Sequence, residues 1–67
     1  MNEEALNTYI ARMGQITAML ESLTEWANDH GGISPDDVTW ADVGTVGAVI
    51  ERLADITEFI GLVEVPA

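Results

Sequence analysis

Gly31-Gly32-Ile33-Ser34-Pro35-Asp36-Asp37 decides how this chain folds. Two adjacent glycines supply the positive-φ conformations that end a helix. Ser34 then offers an N-cap and Pro35 suits a first helical position. Asp36 and Asp37 place negative charge where a helix N-terminus favours it. The stretch therefore reads as stop, turn and start. On either side of it runs a long segment with helical apolar periodicity, Glu3 to Asp29 and Trp40 to Ile60.

The first segment opens with Asn2 as a candidate N-cap and with Glu3 and Glu4 in the first turn. Its stripe is Leu6, Tyr9, Met13, Ile16, Leu20, Leu23 and Ala27, with His30 at the next place in the series. These are the a and d positions of a heptad repeat. Ile10 on one flank, and Met19 and Trp26 on the other, widen the face beyond a two-stranded seam and favour a bundle. The opposite face carries Glu4, Arg12, Glu21, Glu25 and Asp29, interleaved with Gly14, Ala18 and Ser22. Those three small residues, four apart, make a ridge that a partner helix could approach closely, or simply an exposed face rich in small residues.

Beyond the break, a short helical turn is expected at 35–38. Thr39 then repeats the start signal, with Asp42 three residues on as in a capping box. The second helix is expected over 40–60. Its stripe is Val43, Val46, Ile50, Leu53, Thr57 and Ile60, widened by Val49 and Ile56. Gly47, Ala54 and Gly61 form a small-residue edge, and Gly61 is a candidate C-cap. The tail 61–67 ends in Pro66-Ala67 and is expected either to lie over the bundle end or to be disordered.

Sixty-seven residues allow one domain, 1–67. A helix-turn-helix hairpin cannot enclose both its stripes. Short chains complete a core with disulfides, metals or oligomerisation. The sequence has no cysteine, which excludes disulfides and thiolate metal sites. The expected fold is therefore all-α: a helix-turn-helix hairpin, with helices about 3–29 and 40–60, dimerising into a four-helix bundle. The bundle is expected to be antiparallel, and the sequence does not fix whether the two chains of the dimer run parallel or antiparallel.

The expected core and dimer interface is Leu6, Tyr9, Met13, Ile16, Leu20, Leu23, Trp26, Val43, Val46, Ile50, Leu53 and Ile60. The candidate surface for a further protein partner is Gly14, Ala18, Ser22, Glu21, Glu25, Asp55 and Glu58. Arg52 has an i, i+3 acid in Asp55, whereas Arg12 has no acid within a turn and is a candidate for an inter-helix or inter-subunit pair.

Twelve acidic residues face two basic ones, for a formal net charge of −10. That balance argues against direct nucleic-acid binding and against an anionic membrane, and it suits either a soluble protein with a solvated acidic surface or one that binds a basic partner surface. The longest uncharged run, Val43 to Ile50, is far short of the ~20 residues a membrane span needs. Met1-Asn2-Glu3-Glu4 lacks the basic, then apolar, opening of a signal peptide, so a cytoplasmic setting is expected.

Little in the sequence carries chemistry. His30 could serve as a base or metal ligand beside Asp29 and Glu25, but one histidine is a weak ligand set. Its ordinary role is a cation at a helix C-terminus. Asp36, Asp37 and Asp42 lack the spacing and terminal glutamate of a calcium loop, and read as N-terminal capping charge. Trp26 and Trp40 flank the break, either closing the loop end of a core or anchoring a partner. The expected function is a small, acidic, non-enzymatic interaction or accessory protein that acts as a homodimer, with no cofactor and no metal. The second reading is an acidic mimic of nucleic acid that inhibits a DNA-binding protein.

Overall fold

The computed structural model describes residues 2–62. The chain divides between Ser34 and Pro35 into two units. Two helices, Glu3–Asn28 (α1) and Trp40–Phe59 (α2), are joined through short turns at His30–Gly32 and Pro35–Asp37. The described residues are all-helical and hold no strand, with the element content expected for a helix-turn-helix hairpin.

In the first unit, α1 runs for 26 residues, about 39 Å at 1.5 Å per residue. Asn2 is extended (φ −99°, ψ 96°), and its Oδ1 accepts from the Ala5 backbone N–H at 3.0 Å. One orphan donor of the first turn is thereby satisfied, as the sequence leads one to expect. The helix ends one residue short of its expected end, because Asp29 is the C-cap (φ −93°, ψ 15°). Three successive left-handed residues then turn the chain: His30 (φ 54°), Gly31 (φ 67°) and Gly32 (φ 74°). Hydrogen bonds from Gly32 N–H to Asp29 O (2.9 Å) and from Ile33 N–H to His30 O (3.3 Å) close the turn.

The glycines adopt this conformation without penalty. His30 does so at a cost of about 1–2 kcal/mol. Its place in the stripe is a correction to the sequence reading. The heptad series runs on to His30, but the helix has already ended, so the seam of α1 stops at Ala27.

In the second unit, the short turn spans Pro35–Asp37, one residue less than expected. Thr39 is extended (φ −114°, ψ 168°) and begins α2 with a complete capping box. Its Oγ1 accepts from Asp42 N–H at 3.3 Å, and Asp42 Oδ2 accepts from Thr39 N–H at 2.9 Å. The shorter aspartate thus does the work usually given to glutamate. The helix runs for 20 residues, and Gly61 (φ 80°), just past its C-cap Ile60, closes it. Gly61 N–H donates to Glu58 O at 3.1 Å and Leu62 N–H to Thr57 O at 2.8 Å. This nested pair is a Schellman motif, and it satisfies two carbonyls of the last turn. Residues 63–67, where the rest of the expected tail falls, lie outside the described residues.

Three helix-internal threonines return their hydroxyls to the backbone: Thr17 to Met13 O (3.1 Å), Thr45 to Ala41 O (3.1 Å) and Thr57 to Ala54 O (3.0 Å). For Thr57 the bond matters beyond local geometry. It stands in the stripe of α2, and a satisfied donor lets it be covered without an orphaned hydroxyl.

Candidate interaction surfaces

Among the described residues none is buried. The stripes on both helices are therefore at least partly exposed to solvent. On α1, Leu6, Tyr9, Met13, Ile16 and Leu20 are exposed and Leu23 is half-buried. On α2, Val43, Val46, Ile50 and Ile60 are exposed and Leu53 is half-buried. Covering a Val, Leu, Ile, Phe or Met side chain fully is worth about 1.5–3 kcal/mol. Half-exposed, each of these keeps roughly 1 kcal/mol in reserve for a surface that covers it.

After the half-buried Leu23, Trp26 is the least exposed large apolar side chain of α1, at 37%. It lies over the turn. A Cβ placed on Gly31 would stand 3.2 Å from Trp26 Cζ2, 3.3 Å from Cε2 and 3.4 Å from Nε1. Gly31 is thus fixed twice, by its left-handed backbone and by the indole above it. Trp40, the other tryptophan beside the break, is 87% exposed at the first position of α2. The two indoles, paired in the sequence reading, occupy different environments.

Gly14 has open space where a Cβ would stand, and Ala18, Ser22, Glu21 and Glu25 are exposed. Ala18 and Ser22 border a shallow groove with Met19 and Leu23, so the small-residue ridge adjoins a flank of the stripe. Glu21 and Glu25 border another, with Thr17, Thr24 and the stripe residue Leu20. Arg12 lies with Tyr9, Met13 and Ile16 along a third groove, which also takes in Glu4. On α2, Asp55 and Glu58 are exposed, and the Arg52 guanidinium turns back to Ala48 O at 3.4 Å.

Phe59 escapes the sequence reading altogether. It is 88% exposed and lies off the a/d series, seven residues after Arg52 and four after Asp55. An aromatic that breaks the period on an otherwise charged face is the signal that could have singled it out.

His30 carries no constellation around it. No group of three or more His, Cys, Asp or Glu side chains converges among the described residues. No described helix is long and apolar enough to cross a membrane. The chain matches no family model, and no curated protein or solved structure shows a significant match to it.

Proposed function

We propose that this chain is a small, acidic, non-enzymatic interaction protein whose working form is a homodimeric four-helix bundle, built from two helix-turn-helix hairpins. One observation carries this reading: the apolar stripe of each helix is exposed, in a chain with no disulfide to stand in for a core. Eleven large apolar stripe residues and the flanking Trp26, each with roughly 1 kcal/mol to gain, offer on the order of 10 kcal/mol per chain on association. A second copy is a partner always present at the chain's own concentration, and closed two-fold dimers are the commonest oligomers. A cytoplasmic setting belongs to the same proposal. Sedimentation equilibrium over the micromolar range tests it. A dimer is expected, and a folded 7.2 kDa monomer throughout that range refutes it.

The exposed acids support the second reading. Glu21 and Glu25 on α1 and Asp29 at its C-cap follow one another four residues apart, about 6 Å at helical rise, as a run of fixed negative charge. A dimer presenting such rows would hold a basic, DNA-binding partner by its summed field. Glu21, Glu25, Asp55 and Glu58 changed together to Gln should then abolish that binding. Gly14 and Ala18 changed to Leu should spare it. The reverse result assigns the partner to the small-residue ridge.

A further inference from the structure

We infer that the two copies meet through α1 in antiparallel register, with the two-fold axis at the level of Ala18. The second copy is the partner in the homodimer proposed above, and the arrangement presupposes it. The area is sufficient. Eight large apolar residues of α1, from Leu6 to Trp26, are exposed. At about 100 Å² of uncovered surface for each half-exposed side chain, they offer roughly 800 Å². That is the share one partner contributes to an interface of ordinary size, about 800 Å².

Side-chain volume selects the direction. An antiparallel seam pairs each a position with a d position of the other helix. About Ala18 the pairs are Ile16 with Leu20, Met13 with Leu23, and Tyr9 with Ala27 of the second copy. Every seam residue from Tyr9 to Ala27 finds a partner, and the bulkiest meets the smallest. A parallel seam sets Tyr9 against Tyr9 and leaves a gap between two copies of Ala27. The end of α1 at Asn28 agrees with this register, since the seam closes with Ala27 and needs no layer from His30.

Charge selects the same direction. Ala5 to Leu20 contains no acid and one arginine, whereas Glu21 to Asp29 contains three acids and no Lys or Arg. The last turn of α1 has no basic residue to offset its dipole. In parallel, the three acids of one copy stand level with the same three of the other. In antiparallel register, Glu21, Glu25 and Asp29 stand level with Gln15, Ala11 and Asn7 of the second copy, inside the acid-free segment. Arg12 borders the stripe residues Tyr9, Met13 and Ile16, and so lies on the flank of the seam that the heptad gives Trp26 and not on the opposite face, where the sequence reading set it. The antiparallel register brings Arg12 of one copy beside Trp26 of the other, within reach of a cation–π contact made twice by symmetry.

The natural absence of cysteine makes the test direct. Tyr9→Cys and Ala27→Cys chains are purified separately, mixed and oxidised, alongside each variant alone. A disulfide-linked mixed dimer, with Ala27→Cys alone staying unlinked, supports the antiparallel seam. Linkage of Ala27→Cys to itself, with no mixed product, shows a parallel dimer and overturns the register while leaving the homodimer intact. No linkage in either case, with the variants still dimeric by sedimentation, removes α1 from the interface. No linkage with wild-type chain monomeric overturns the homodimer as well. Arg12→Gln should weaken the dimer about tenfold, and an unchanged dissociation constant overturns the Arg12–Trp26 contact.

Discussion

Gly31→Ala and Gly14→Ala add the same methyl group to the same unit and should move its stability in opposite directions. At Gly31 the backbone is left-handed (φ 67°), which costs an alanine about 1–2 kcal/mol. The new Cβ would also press on the Trp26 ring at 3.2–3.4 Å. Displacing the indole from its rotamer adds on the order of 0.5–1.5 kcal/mol. Against this, alanine narrows the unfolded ensemble by about 0.4–1 kcal/mol. The balance is a loss of about 1–2 kcal/mol. At Gly14 the backbone is helical and a Cβ meets nothing within 4 Å. Alanine there should gain about 1 kcal/mol. Urea unfolding followed by helical ellipticity, at one fixed protein concentration, measures both. With a slope of about 1 kcal/mol per molar urea, the midpoints should separate by roughly 2–3 M. In a Trp40→Phe background, Trp26 emission should shift to the red in the Gly31 variant alone. A Gly31→Ala chain as stable as wild type would show that neither the left-handed turn nor the indole contact exists in solution.

Leu20→Ala and Ile50→Ala should each lose about 2–5 kcal/mol if their stripes are covered in the dimer, with unfolding midpoints that depend on protein concentration; a loss below about 1 kcal/mol at either position assigns the wrong face. Thr39→Ala removes one half of the capping box and should cost about 0.5–2 kcal/mol, with Thr39→Ser close to wild type, both read from thermal melts. Added sodium chloride at pH 7 should raise the melting temperature, because it screens repulsion among twelve acids faced by two bases. A melting temperature that falls with salt would mean that favourable charge pairs outweigh repulsion.

The capping box at Thr39 and Asp42, the Asn2 cap, the glycine turn and the Gly61 terminus were all legible in the sequence. Each depends on residue types at fixed short spacing, and on nothing distant. Helix ends shifted by a residue, at Asp29 and at Ile60, because a capping residue is half helical and periodicity cannot see its backbone. His30 was misplaced for a related reason. Its position fits the heptad, but Asp29 has already left the helix, and the left-handed turn needs three residues where two glycines announce only two. The Trp26–Gly31 contact was hidden because a five-residue offset across a turn belongs to no helical period. On the candidate surfaces, the two stripes were legible from their period, whereas Phe59 was passed over because it falls outside it.

Every hydrogen bond that sets an end of α1 or α2 joins residues five or fewer apart in sequence. Each boundary can therefore close within the time of helix growth, which is below about a microsecond. Nothing in that step waits on a second molecule. Assembly into the proposed dimer is then a bimolecular encounter between two chains of formal charge −10. Like charge slows such encounters below the ~10⁵–10⁶ M⁻¹s⁻¹ of neutral pairs. The refolding rate should thus climb with protein concentration, and climb again with ionic strength, so that the tempo of assembly is governed by the solution around the chain as much as by its residues.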